Sequence, residues 1–137
     1  MIDYFSAAMG GDELRAISSI GLAHIGDAVY ELLVRTYLCI HGKATGKGLH
    51  RATVALVCAN KQAELSEYLL PLLTEEEHDV FRRGRNANVH TIPHSADRAT
   101  YQTATAVEAL FGWLYLKGDK ARVNMLFHAM MEGCDVT

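Results

Sequence analysis

Proline is scarce, with two in 137 residues, and strict alternation of polar and apolar residues is almost absent. Little therefore interrupts helices, while the missing alternation and paired turn signals argue against a sandwich or a barrel. No run approaches the roughly 20 apolar residues needed to span a bilayer. Met1–Gly10 carries an acid and no basic flank, so no secretory leader is expected. The three cysteines (Cys39, Cys58 and Cys134) are odd in number and lack metal-ligand spacing. Cys39 and Cys58 fall in apolar-periodic stretches and are expected to be small buried hydrophobes in a reducing, cytoplasmic setting. What remains is a chain that is 50% hydrophobic with a net charge of −3. That is enough apolar material for one core, and the expectation is a single all-α domain over residues 1–137.

Helical periodicity organises the chain. A short helix is expected over Asp12–Ser18, then a long one from about Ile20 to Ile40, closed by Gly42. Lys43–Gly48 reads as a basic loop. Leu49 to about Leu73 reads as helical throughout, bent near Asn60 and ending on Pro71. Thr74–Glu77 forms a capping box for a helix running to about Asn86. Asn88–His94 is a loop containing Pro93, and Ser95 is expected to cap a helix over Ala96–Leu116, with Asp97 in its first turn. Gly118 ends that helix, and Asp119–Met131 forms the last.

The stretch Leu22–Leu33 holds the first candidate site. At about 100° per residue, His24, Asp27, Glu31 and Arg35 share one stripe of the helix. Ile25, Ala28, Val29, Leu32, Leu33 and Leu38 fill most of the remaining circumference, which predicts carboxylates facing a groove. A solvated helix edge is the bland alternative. Gly26 costs roughly 1 kcal/mol of helix stability against alanine, so something is expected to approach the backbone there. The second candidate is Glu108, the sole charge in the run Tyr101–Leu116. An acid in so apolar a helix is costly unless it is paired, for example with Arg35, hydrogen-bonded, or bound to a cation. Gly112, one turn on, again permits a close crossing. Two near-buried acids on crossing helices suit a shared Mg²⁺, which prefers one or two carboxylates plus waters.

Charge is segregated. From His41 to Lys61 there are Lys43, Lys47, Arg51 and Lys61 and no acid, while acids gather in Glu64–Asp79. A local positive surface can form on such an acidic chain. Arg82–Asn86 places three arginines, a glycine and an asparagine in five positions. Basic residues in a last turn complement the helix dipole, but this number exceeds what a cap needs, and guanidinium forks fit phosphates. Arg83, Arg85 and Asn86 are therefore candidate phosphate contacts, joined by His50, Arg51, Lys61 and His94. His78–Asp79 has the look of a metal-phosphohydrolase dyad but sits in an acidic surface helix. His90 and His94 are four apart, yet Pro93 prevents a helical ligand pair.

Taken together, the chain resembles the catalytic domain of the ribonuclease III family, most closely the short bacterial Mini branch. Ile25–Gly26–Asp27–Ala28–Val29 is similar to the core of that family's signature helix, and Val107–Glu108–Ala109–Leu110 to its second acidic helix. Gly84–Arg85–Asn86–Ala87 resembles a stretch typical of the Mini form. The resemblance implies a homodimeric, Mg²⁺-dependent endonuclease on double-stranded RNA, with Mn²⁺ able to substitute, acting in maturation of precursor ribosomal RNA of the 23S type. It implies that Asp27 and Glu108 are catalytic metal ligands. The longer enzymes' two further acids would fall at Ala23 and Thr105. No appended double-stranded-RNA-binding domain is expected, so RNA contacts would come from this domain, through phosphates and 2′-hydroxyls. A non-catalytic RNA-binding or adaptor module on the same scaffold is the alternative.

Overall fold

The computed structural model describes residues 1–42, 46–87 and 97–134. Among these every regular element is helical: α1 (Gly11–Arg15), α2 (Ser19–Ile40), α3 (Gly48–Val57), α4 (Ala59–Leu65), α5 (Glu75–Arg85), α6 (Arg98–Lys117) and α7 (Lys120–Glu132). Two 3₁₀ turns, Ser66–Tyr68 and Leu70–Leu72, link α4 to α5. The all-α expectation holds. Among the described residues no helix is long and apolar enough to cross a membrane. The expectations on Lys43, His90, Pro93, His94 and Ser95 lie outside the described residues.

Local signals explain most boundaries. Ser18 is extended and its Oγ accepts from the Gly21 amide at 3.0 Å, so it caps α2 and cuts α1 short of the expected Ser18. Gly42, at φ +79°, takes the left-handed conformation after α2. Thr74 and Glu77 form the reciprocal capping box that opens α5. α6 begins two residues later than expected because Asp97 is itself the cap, accepting from the Thr100 amide at 2.7 Å.

The continuous helix expected over 49–73 is instead broken at Cys58, whose ψ of 154° is extended. A tertiary bond accompanies the break. The carbonyl of Leu56, which an unbroken helix would give to the amide of Asn60, accepts from the buried Tyr30 hydroxyl at 3.2 Å. Cys39 and Cys58, expected inside, are exposed. Cys39 follows the inward-facing Leu38 onto the outer side of α2, and Cys58 sits at the corner between α3 and α4.

α6 is the central helix. Ala106, Val107, Ala109, Leu110 and Phe111 are fully buried, enclosed by α2, α4, α5 and α7. Its apolar stretch is thus consumed by the monomer's own core and leaves no hydrophobic surface over. Tyr30 packs edge-on against Phe111 and Phe127, with centroids 5.6 and 5.9 Å apart, tying α2 to α6 and α7. Arg122 of α7 grips Glu77 of α5 with two bonds of 2.7 and 2.8 Å and also donates to the Leu72 carbonyl. This pair holds Glu77 well below the usual carboxylate range, the Arg122 hydrogen bond being the main cause.

Candidate active site

α2 and α6 cross in close contact. A Cβ on Gly26 would lie 1.6 Å from the Glu108 carbonyl oxygen, and one on Gly112 would lie 2.0 Å from that of Leu22. Any side chain at either position would push the helices apart, so the two glycines fix the spacing. One residue from Gly26, and on the same turn as the contact, Asp27 and Glu108 bring their carboxyls within hydrogen-bonding reach. α4 closes the site from a third side: the Gln62 Nε2 donates to Glu108 Oε2 at 3.5 Å.

The two acids differ in environment. Glu108 is half-buried, and burial, then the charge of Asp27 and a hydrogen bond to it, push its carboxyl up to about 8. Asp27 is exposed, contrary to the expectation of two near-buried acids. The reason is that α6 covers only one side of α2. Ala28 and Leu32, counted as groove walls in the sequence, face outward with it. Asp27 therefore lies on an open depression of about 540 Å³, also lined by His24, Ala28, Glu31, Leu32 and Arg35. Arg35 pairs with Glu31 at 2.7 Å, so it is not the partner of Glu108, and the buried ion-pair reading fails. The positions matched to the longer enzymes' extra acids hold buried Ala23 and Thr105, and the Thr105 hydroxyl donates to the Tyr101 carbonyl. Among the described residues no three histidines, cysteines or acids converge to hold a metal. A pair of carboxylates alone, with neither nitrogen nor sulfur donors, fits a hard divalent ion that keeps waters, Mg²⁺ or Mn²⁺, and not a structural zinc.

Residues 21–119 match the family model described as the ribonuclease III domain. The chain belongs to the ribonuclease III family. It is an endoribonuclease, and its relatives are of the Mini branch. A Mini-ribonuclease 3 from Gloeobacter violaceus is 47% identical over 120 residues, 88% of this chain and 87% of that one. One from Symbiobacterium thermophilum is 46% identical over 111 residues, covering 81% and 85%. A Fusobacterium nucleatum protein solved by X-ray crystallography superposes with a TM-score of 0.77 at 28% identity, covering 88% of this chain and 97% of that one.

For a ribonuclease III domain, the basic residues matter next. Arg83, Arg85 and Asn86 are exposed at the end of α5. Arg83 is held by Asp79 at 2.9 Å, and Arg82 also bonds to Asp79, which leaves Arg85 as the more available cation of the two candidates. The same pairings engage the aspartate of the His78–Asp79 dyad, so that reading is abandoned. Gly84 explains how this segment comes close to α6: its missing side chain leaves room for Ala106 and Ala109, at 3.0 and 2.9 Å from a would-be Cβ. His50 and Arg51 are exposed on α3, whereas Lys61 is half-buried and paired with Glu64 at 2.8 Å. His94 lies outside the described residues. Sequence reasoning missed Gln62, whose only signal was a polar residue in register with the apolar Leu65 and Leu69, both buried.

Proposed function

We propose that this endoribonuclease cleaves double-stranded RNA with a divalent metal, Mg²⁺ by preference and Mn²⁺ in its place, held by Asp27 and Glu108. The observation that carries the reading is the approach of these two acids at a crossing that only glycines permit, where burial and then the charge of Asp27 push the Glu108 carboxyl up. Such an arrangement is unfavourable for folding alone and favourable once a cation shares the pair. A bound metal supplies a water activated for in-line attack and neutralises charge on the leaving oxygen. Asp27, exposed on the open depression, presents its carboxylate where a phosphodiester can reach it. Glu108 would hold the metal beside Asp27 as a carboxylate, its proton passing to solvent. Arg85 and Asn86, with His50 and Arg51, hold backbone phosphates, a form of contact that follows duplex shape rather than sequence.

A homodimer is part of the same proposal. One chain carries one acidic pair, so cutting both strands needs two. The exposed apolar side chains of Ile20 (44%) and Leu32 (53%) on α2, at the edge of the depression that holds Asp27, support docking of a second copy beside it. The substrate class proposed is precursor ribosomal RNA of the 23S type, in the cytoplasm, on the strength of the likeness to the Mini branch. Incubating pure protein with long duplex RNA and with its separated strands, in Mg²⁺ or chelator, tests the reading. Cleavage of the duplex alone, and only with metal, is expected; cutting in chelator or of single strands would refute it.

A further inference from the structure

Among the described residues the buried polar side chains are satisfied, with one exception. Thr53, Ser66 and Thr105 each donate to a backbone carbonyl of their own helical segment, and Glu77 is held by Arg122. Gln62, 1% exposed on α4, is different. Among the described residues its Oε1 is the buried side-chain atom left without a hydrogen-bond partner. An orphaned carbonyl destabilises a core, and leucine or methionine would fill the same space without that penalty. Packing therefore gives no reason for glutamine at 62. Its other end does: Nε2 is aimed at Glu108 Oε2, and Gln62 is the side chain that α4 contributes to the site.

We propose that Gln62 is a positioning residue that anchors one oxygen of the Glu108 carboxylate through its Nε2, so that the group is presented toward Asp27 for metal binding. An amide suits this task better than a lysine or an arginine. It donates to a carboxylate without neutralising it, so the ligand's charge stays available to the cation. Because the stem of Gln62 is enclosed by the core around Leu65, the amide has little freedom, and that rigidity passes to Glu108. The inference rests on the reading of Asp27 and Glu108 as metal ligands.

The test uses the full-length protein with Gln62→Met, which keeps the volume, and Gln62→Leu, with Glu108→Gln alongside. Melting is followed in chelator and across a Mg²⁺ titration at fixed ionic strength, Mn²⁺ binding is followed by calorimetry, and duplex cleavage is followed against Mg²⁺. Both Gln62 variants should melt at or above wild type without metal. Their metal midpoints, in melting, calorimetry and cleavage alike, should rise by about 10- to 100-fold, as for other residues that orient metal ligands. The KM for RNA should stay near wild type while kcat falls at limiting metal and recovers at high metal. A lower metal-free melting temperature with an unchanged metal midpoint would make Gln62 a packing residue and overturn the inference, as would failure of both variants to fold. If Glu108→Gln itself binds metal like wild type, the metal-ligand reading is the one that fails.

Discussion

Replacing Glu108 by glutamine should make the metal-free protein more stable, by an amount that depends on pH. The carboxyl is pushed up to about 8 from an ordinary 4.5, burial being the first cause and the charge of Asp27 the second. The folded state thus holds the proton more tightly than the unfolded chain. Stability tied to this group is complete below pH 4.5, falls as pH rises, and levels off above pH 8. By pH 7 the loss is about 3 kcal/mol, at roughly 1.4 kcal/mol per pH unit. Glutamine keeps the shape, carries no charge and can donate to Asp27, so the loss disappears. For a chain of this length each kcal/mol is worth roughly 3–5 °C, and partial exposure of the site trims the total to a rise of roughly 5–10 °C. Melting curves of both proteins in chelator from pH 5 to pH 9 check this, read as a difference that is small at pH 5 and grows toward pH 8. A Glu108→Gln protein that melts clearly below wild type at every pH would refute the reasoning and make Glu108 a structural anchor.

Gly26→Ala should destabilise the fold by at least about 3 kcal/mol in urea titrations, because its methyl group would overlap the Glu108 carbonyl and force α2 off α6. Arg122→Met should cost about 3 kcal/mol near neutral pH by leaving buried Glu77 unpaired. Since that pair lowers the Glu77 pKa, its stabilisation is present at neutral pH and lost as pH falls through the lowered value. The difference between wild type and Arg122→Met should therefore shrink in acid, which acid titration of both proteins checks. In filter binding at several salt concentrations, Arg85→Ala should weaken duplex RNA affinity and flatten its salt dependence more than Arg83→Ala, whose guanidinium is already engaged by Asp79.

The parts of the site legible in the sequence were those set by one residue and its near neighbours. Glu108 stood out as a lone charge in an apolar run, and Gly26 and Gly112 announced a close crossing because no other residue survives one. The cap at Thr74 and the turn at Gly42 were legible for the same local reason, whereas Ser18, expected inside the first helix, is the cap of α2. What depended on distant partners was not. The break at Cys58 accompanies a bond from Tyr30, 26 residues from Leu56, and the Glu77–Arg122 pair joins residues 45 apart. The exposure of Asp27 followed from how far α6 wraps around α2, which periodicity on α2 alone does not contain. Little in its own stretch marks Gln62, whose place beside Glu108 depends on α4 packing against α6.

The account turns on whether Asp27 is a ligand for a catalytic metal. The most direct measurement compares Asp27→Asn with wild type on the same long duplex RNA, following cleavage in Mg²⁺ and binding in chelator side by side. The prediction is that cleavage is lost while binding stays within a few-fold of wild type, because the carboxylate is removed and the exposed cations of α3 and α5 are untouched. Cleavage within a few-fold of wild type would contradict it.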